Sequence, residues 1–299
     1  MDIPLSANSV IAGVDGSTAS VQAAQWAAAA AMRYGLPLQL VHAIPPLPAN
    51  AYPTMGLYIE TLRRATHQEG EEILDKAAAA ARNLTPDLEI ARWQKVGDPL
   101  DVLSLASATA RVIAVGATGQ TGLIELLAGS TALALPSRAH CPVVVVRQHP
   151  DGTDAADGPV VVGVAGSPLD DPAVAFAFEQ ASMLDAELVA VHSWSDSPLP
   201  DVDRITGLHD DWNVIFERER RLLAEGLAGY GDRYPEVTVR PVVVYDRPTR
   251  ALLDHARSAQ LLVVGSHGRG RITGALLGST SRAVMKLAPC PVAVVARNH

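Results

Sequence analysis

Residues 112–131, VIAVGATGQTGLIELLAGST, run from a β-branched apolar stretch into glycines at fixed spacing and end on two small hydroxyl side chains. Gly116, Gly119, Gly129 and Ser130 recur at the same intervals as Gly265, Gly268, Gly278 and Ser279 in residues 261–280, LLVVGSHGRGRITGALLGST. With glycine at about 7% of residues, one such pattern should arise by chance on the order of once per thousand starting glycines, and two in register far less often. The rest of the chain repeats with it. Val14-Asp15-Gly16-Ser17 faces Val164-Ala165-Gly166-Ser167, Val41-His42-Ala43 faces Val191-His192-Ser193, and His140-Cys141-Pro142 faces Pro289-Cys290-Pro291. The chain therefore reads as two tandem copies of one domain.

Working outward, apolar runs alternate with helical patterns in each copy. In the first, strands are expected over 10–14, 38–42, 88–96, 111–115 and 142–146, and helices over 18–34 and 58–83, after Pro99 and from Ser130. In the second, strands are expected over 160–164, 188–192, 237–244, 261–264 and 292–295. Four prolines between Ala43 and Leu57 exclude regular structure there. Gln148 to Gly158 is rich in Asp and Gly, a linker composition, so the expected domains are 1–148 and 159–299 with a linker over 149–158. Strands separated by helices imply an α/β, doubly wound, Rossmann-like fold with parallel strands and helices on both faces.

Composition narrows the function. The 299 residues are 48% apolar, enough for two domains with their own cores, and the net charge of −8 argues against a nucleic-acid surface. The start of the chain lacks a basic, apolar leader, and no window is long and apolar enough to span a membrane, so a cytoplasmic protein is expected. Cys141 and Cys290 read as buried, reduced thiols.

In open parallel sheets, ligands lie at the carboxyl ends of the strands. Asp15 and Gly116 both fall there. The glycines let backbone N–H groups approach an anion, and Gly129, Ser130 and Thr131, like Gly278, Ser279 and Thr280, open a helix whose amino end favours negative charge. The alternative is that these glycines only make tight turns and the serines only cap helices. No catalytic constellation is legible: there is no P-loop, no nucleophile elbow and no complete dinucleotide fingerprint. His67 and Glu71 have metal-like spacing without a third ligand, so no metal site is expected. His42 and His192 read as hydrogen-bonded structural histidines, and the stretch around Arg218 to Arg221 as an exposed helix face.

The Gly-x2-Gly-x9-Gly-Ser pattern, with an aspartate ending the first strand, resembles the nucleotide-binding signature of the universal stress proteins, in the tandem arrangement found in actinobacteria. The resemblance implies a five-stranded sheet of order 3-2-1-4-5 in each copy, and ATP as ligand, with Mg²⁺ as an optional companion. It implies nucleotide contacts at Gly13, Val14, Asp15, Ala43, Gly116, Gly119, Gly129, Ser130 and Thr131. In the second copy the matching positions are Gly163, Val164, Ser193, Gly265, Gly268, Arg269, Gly278, Ser279 and Thr280. Asp15 would contact the nucleoside, Ala43 the adenine, and the glycine loop the ribose and phosphates. The family also pairs domains through the last strand, so an internal pseudo-dimer is expected, with a homodimer as a further open assembly.

The copies differ where the ligand would lie. Ala165 replaces Asp15, while the second loop carries Arg269 and Arg271 and the first has Gln120 and Leu123, with Glu125 beyond. Two unequal sites are expected, the first binding nucleotide more tightly. A slow ATP hydrolase or transferase and a nucleotide-free interaction module are the competing readings.

Overall fold

Short apolar runs form the strands, buried on both faces at the centre of each sheet and partly exposed in β3 and β8, and alanine-rich or amphipathic segments form the helices that cover them. The computed structural model describes residues 8–46, 56–118, 129–147, 157–165, 172–194, 212–266 and 277–296. Two compact units divide the chain, Met1–Arg147 and Gln148–His299.

In the first unit the strands are β1 (Ser9–Gly13), β2 (Leu38–Ile44), β3 (Ile90–Val96), β4 (Ala110–Gly116) and β5 (Val143–Val146). They pair in the order β3-β2-β1-β4-β5, every pair parallel. The four valines of β5 are all buried, as a strand covered on both faces requires. The helices are α1 (Thr18–Tyr34), α2 (Gly56–Leu84), α3 (Pro99–Ser107) and the single turn α4 (Ser130–Ala134).

Strand register shows that the sheet is doubly wound. Gly13 is level with Val115, so these two share a face and Gly116 turns to the other. A Cβ on Gly13 would lie 3.0 Å from Leu103 of α3, whereas one on Gly116 would lie 2.6 Å from the backbone carbon of Ala19 in α1. Hence α3 covers one face and α1 the other. The Ser17 hydroxyl accepts from Ser20 N–H to cap α1, and Gly35 at φ 64° ends it.

The second unit repeats the plan with β6 (Val160–Gly163), β7 (Leu188–Ser193), β8 (Val239–Val244), β9 (Leu261–Gly265) and β10 (Val292–Val295), in the order β8-β7-β6-β9-β10. Its helices are α5 (Pro172–Met183), α6 (Trp212–Leu227), α7 (Tyr230–Arg233), α8 (Pro248–Ala256) and α9 (Ser279–Leu287). The two-copy, 3-2-1-4-5 expectation holds.

Two details distinguish the copies. The helix from Ser130 stops at Ala134 and tightens into a 3₁₀ turn over Leu135–Ser137, because Pro136 has no N–H to continue the α ladder. The second copy has Met285 at that place, and α9 runs on to Leu287. Helix packing differs between the units as well. Ala28 and Ala81 are fully buried where α1 meets α2, while the second unit has Phe178 and Tyr230 at the matching positions, stacked at 4.8 Å.

Candidate functional site

At the carboxyl rim of the first sheet, β1 runs on past Gly13: Val14 N–H donates to the Val41 carbonyl at 2.9 Å. Asp15 follows, half-buried, and Gly16 at φ 86° turns the chain back toward it. That left-handed turn lets Asp15 Oδ1 accept from both Ser17 N–H at 3.0 Å and Ser17 Oγ at 2.6 Å. Ser17 Oγ in turn lies 3.4 Å from the Thr118 carbonyl, just beyond β4. The carboxylate is thereby placed between the first turn of α1 and the start of the glycine loop.

The loop leaves and returns at one point. Gly129 N–H donates to the Ala117 carbonyl at 2.6 Å, and in the second unit Gly278 N–H donates to the Ser266 carbonyl at 2.9 Å. Each excursion is thus closed by one backbone bond beside its strand end. Gly119, Gly268, Arg269 and Arg271 lie outside the described residues, as do most of the expected linker and the segment 47–55.

The structure revises two sequence arguments. Gly116 has a packing reason to be glycine, since the carbonyl carbon and oxygen of Ala19 would sit 2.6 and 2.8 Å from any Cβ. Ser130 and Ser279 do not cap their helices: the N-caps are Gly129 and Gly278, in extended conformation and without a side-chain cap bond. Both serines are exposed at the first helical position, with Thr131 and Thr280 half-buried behind them. A helix start with no side-chain acceptor is suited to an external one.

Gly13 and Gly163 meet leucine side chains of α3 and α8, at 3.0 and 3.2 Å from a would-be Cβ. Val14 and Val164 are buried and point into the fold, while Ala43 and Ser193 are half-buried at the ends of β2 and β7. Ser193 Oγ donates to the Asp246 carbonyl, and Trp194 packs on Tyr245 with ring centroids 4.5 Å apart. Among the described residues no group of three potential metal ligands occurs, and no helix is long and apolar enough to cross a membrane.

Both rim histidines are hydrogen-bonded as expected. His42 Nδ1 donates to the Val14 carbonyl and His192 Nδ1 to the Val164 carbonyl, each at 2.8 Å. The second goes further. His192 is fully buried, and its Nε2 lies 2.8 Å from Glu219 Oε2 on α6. A carbonyl can only accept, so Nδ1 carries a proton, and Nε2 and the carboxylate must share another. Sequence reading placed Glu219 on an exposed face; its signal was the four-residue spacing to the buried Leu223.

Comparison with known proteins adds the family. The Universal stress protein family model matches residues 7–147 and again 158–296. The chain belongs to the universal stress protein family. It is 40% identical to Universal stress protein Rv2005c of Mycobacterium tuberculosis over 308 aligned residues, covering 99% of each chain. A Universal stress protein of Mycolicibacterium smegmatis is 39% identical, covering 96% of each. Among solved structures, a universal stress protein from Archaeoglobus fulgidus aligns with a TM-score of 0.67 at 20% identity, covering 98% of both chains.

Within this tandem universal stress protein the rims are unequal. The first has Asp15, bonded to Ser17; the second has Ala165 and, deeper, the His192–Glu219 pair, with Gly70 of α2 standing in the first unit where the second has Glu219. Gly70 is closely packed too, with a would-be Cβ 2.8 Å from His42 Cδ2 and from Gln94 Nε2.

Proposed function

We propose that this universal stress protein binds an adenine nucleotide, ATP in the first instance, at the carboxyl rim of the first unit, and acts in the cytoplasm through that binding in the stress response. The observation that carries the reading is the convergence of Asp15, Thr118 and the Ala117–Gly129 closure at one strand end. A carboxylate suits nucleoside hydroxyls, and the uncapped start of α4 with Ser130 and Thr131 supplies N–H and O–H donors for phosphate oxygens. Those residues fit a nucleotide, with Ala43 at the end of β2 beside the base.

The second unit binds the same class of ligand more weakly, because Ala165 offers no carboxylate; Arg269 and the uncapped start of α9 leave it an anion preference. Mg²⁺ would accompany the phosphates rather than occupy a protein cage. Titration of ATP into the wild type and an Asp15→Ala variant by calorimetry tests this. Loss of a hydrogen bond to a charged group should weaken the tighter site by about 10- to 100-fold. Unchanged affinity and stoichiometry in Asp15→Ala would overturn the proposal, and sustained turnover of ATP would reassign the protein to the hydrolases.

A further inference from the structure

Two buried polar side chains stand on the face of the first sheet that α3 covers. Ser9, Ile11 and Gly13 alternate onto that face along β1, and Gln39, level with Ile11, joins them from β2, whereas His42 on the opposite face meets Gly70 of α2. Ser9 is fully buried and Gln39 is 3% exposed, yet Ser9 Oγ and Gln39 Oε1 have no hydrogen-bond partner among the described residues. A buried oxygen left unpaired is costly, and folded proteins almost always answer it with a protein group or an ordered water.

The second unit shows the same place without that pair. Val10 and Val160 are level with Leu38 and Leu188, so Ser9 corresponds to Pro159 and Gln39 to Val189. Ala91, level with Gln39, corresponds to Arg240, level with Val189. Counted from Pro99 and Pro248 at the helix starts, Ala106 of α3, fully buried, corresponds to His255 of α8. Burial first, and then Arg240 beside it, hold the His255 imidazole below its usual range, so this helix position lies over this part of the sheet. The first unit thus has a serine, a glutamine and two alanines where the second has proline, valine, histidine and arginine. Its side chains take up less space near Gln39 and bring two hydrogen-bonding groups.

Spacing and chemistry identify what joins them. Gln39 is one strand over and two residues along from Ser9, which puts their Cα atoms about 8 Å apart, a span for one small molecule between a short hydroxyl and a long carboxamide. β4 carries one more residue than β1 between the Ser9–Ala110 and Val10–Val112 pairs, which loosens the ladder beside Ser9. Gln39 Oε1 can only accept and Ser9 Oγ can accept or donate, so the bridging group must donate to one and can do either to the other. Both side chains are neutral, which suits a neutral molecule with two polar partners in reach. We propose that the first unit holds one ordered water between Ser9 Oγ and Gln39 Oε1 under α3, and that the second unit, with Pro159 and Val189, holds none.

The test uses the full chain. A high-resolution crystal structure of the wild type should show a water within about 2.7–3.2 Å of both oxygens, and none at Pro159 and Val189. Urea denaturation of Ser9→Ala, Gln39→Val and the double variant supplies the energetics. Ser9→Ala should lower the urea midpoint of the wild type, because it takes a partner from the water and from Gln39. In the Gln39→Val background, where the bridge is already lost, Ser9→Ala removes a stranded hydroxyl and should leave the midpoint unchanged or raise it. Gln39 turned directly onto Ser9, a metal ion between them or an empty gap in the wild-type crystal would overturn the proposal. So would an equal effect of Ser9→Ala in the two backgrounds.

Discussion

At the level of single residues, the duplicated pattern mixes packing and ligand chemistry that sequence alone cannot separate. Gly116 looks like part of a phosphate cradle, yet its missing side chain is accounted for by the Ala19 backbone at 2.6 Å. Gly116→Ala should therefore destabilise the protein by about 1–3 kcal/mol, the cost of overpacking, in urea denaturation. Gly163→Ala should cost less, because its nearest neighbours are the ends of the Leu252 side chain, which can swing away. The buried His192–Glu219 pair makes a second prediction. Glu219→Gln keeps a group that can donate to His192 Nε2 and should cost little, whereas Glu219→Ala removes this hydrogen bond from a fully buried ring and should cost about 1–3 kcal/mol. Equal losses in the two variants would contradict that account. Burial pushes the Cys141 thiol up to about 12 from an ordinary 9.0. Folding thus favours the neutral thiol, a contribution fully present below pH 9 and lost as pH rises through the interval up to about 12. In the folded protein at pH 8 Ellman's reagent should leave Cys141 unmodified, and Cys290, 1% exposed, with it.

At the level of elements, most of the fold was legible. Residues such as Val143–Val146 can only be strands buried on both faces, and Ser17 and Gly35 mark the ends of α1 by their capping chemistry. Boundaries moved by a residue or two where pairing with a neighbour extended a strand, as β2 runs on to Ile44 against Val96. Where the helix from Ser130 ends was not legible, because a periodic pattern says nothing of the hydrogen bond that Pro136 cannot donate. Likewise, Ser130 and Ser279 have the right chemistry for N-caps but sit one residue too late, behind Gly129 and Gly278. That shift has a consequence for α9. Gly278→Asp would place a capping carboxylate at the helix start, raising stability by a few tenths of a kcal/mol, while competing with phosphate for the same N–H groups. Urea denaturation and ATP titration of this variant should move in opposite directions; tighter ATP binding would refute the role assigned to this helix end.

At the level of the whole molecule, the tandem repeat separates what is shared from what is individual. Both units have the same strand order and the same loop closure, at Ala117–Gly129 and Ser266–Gly278, so the geometry of the rim is duplicated. Asp15 belongs to one copy and His192–Glu219 to the other. If the protein binds ATP in its folded state, free ATP at 100 times the dissociation constant should add about 2.7 kcal/mol of stability through that site and raise the melting temperature measured by calorimetry. No shift at saturating ATP would leave the loops as turns. By itself the sequence determined the repeat, the strand and helix order, the family and the residues at the rim, because periodicity, capping and glycine spacing are local or repeated signals. Only the tertiary structure decided which glycines are bare for packing and which acid faces a histidine. Those outcomes depend on distances between residues far apart in the chain, such as Gly116 to Ala19 and Glu219 to His192.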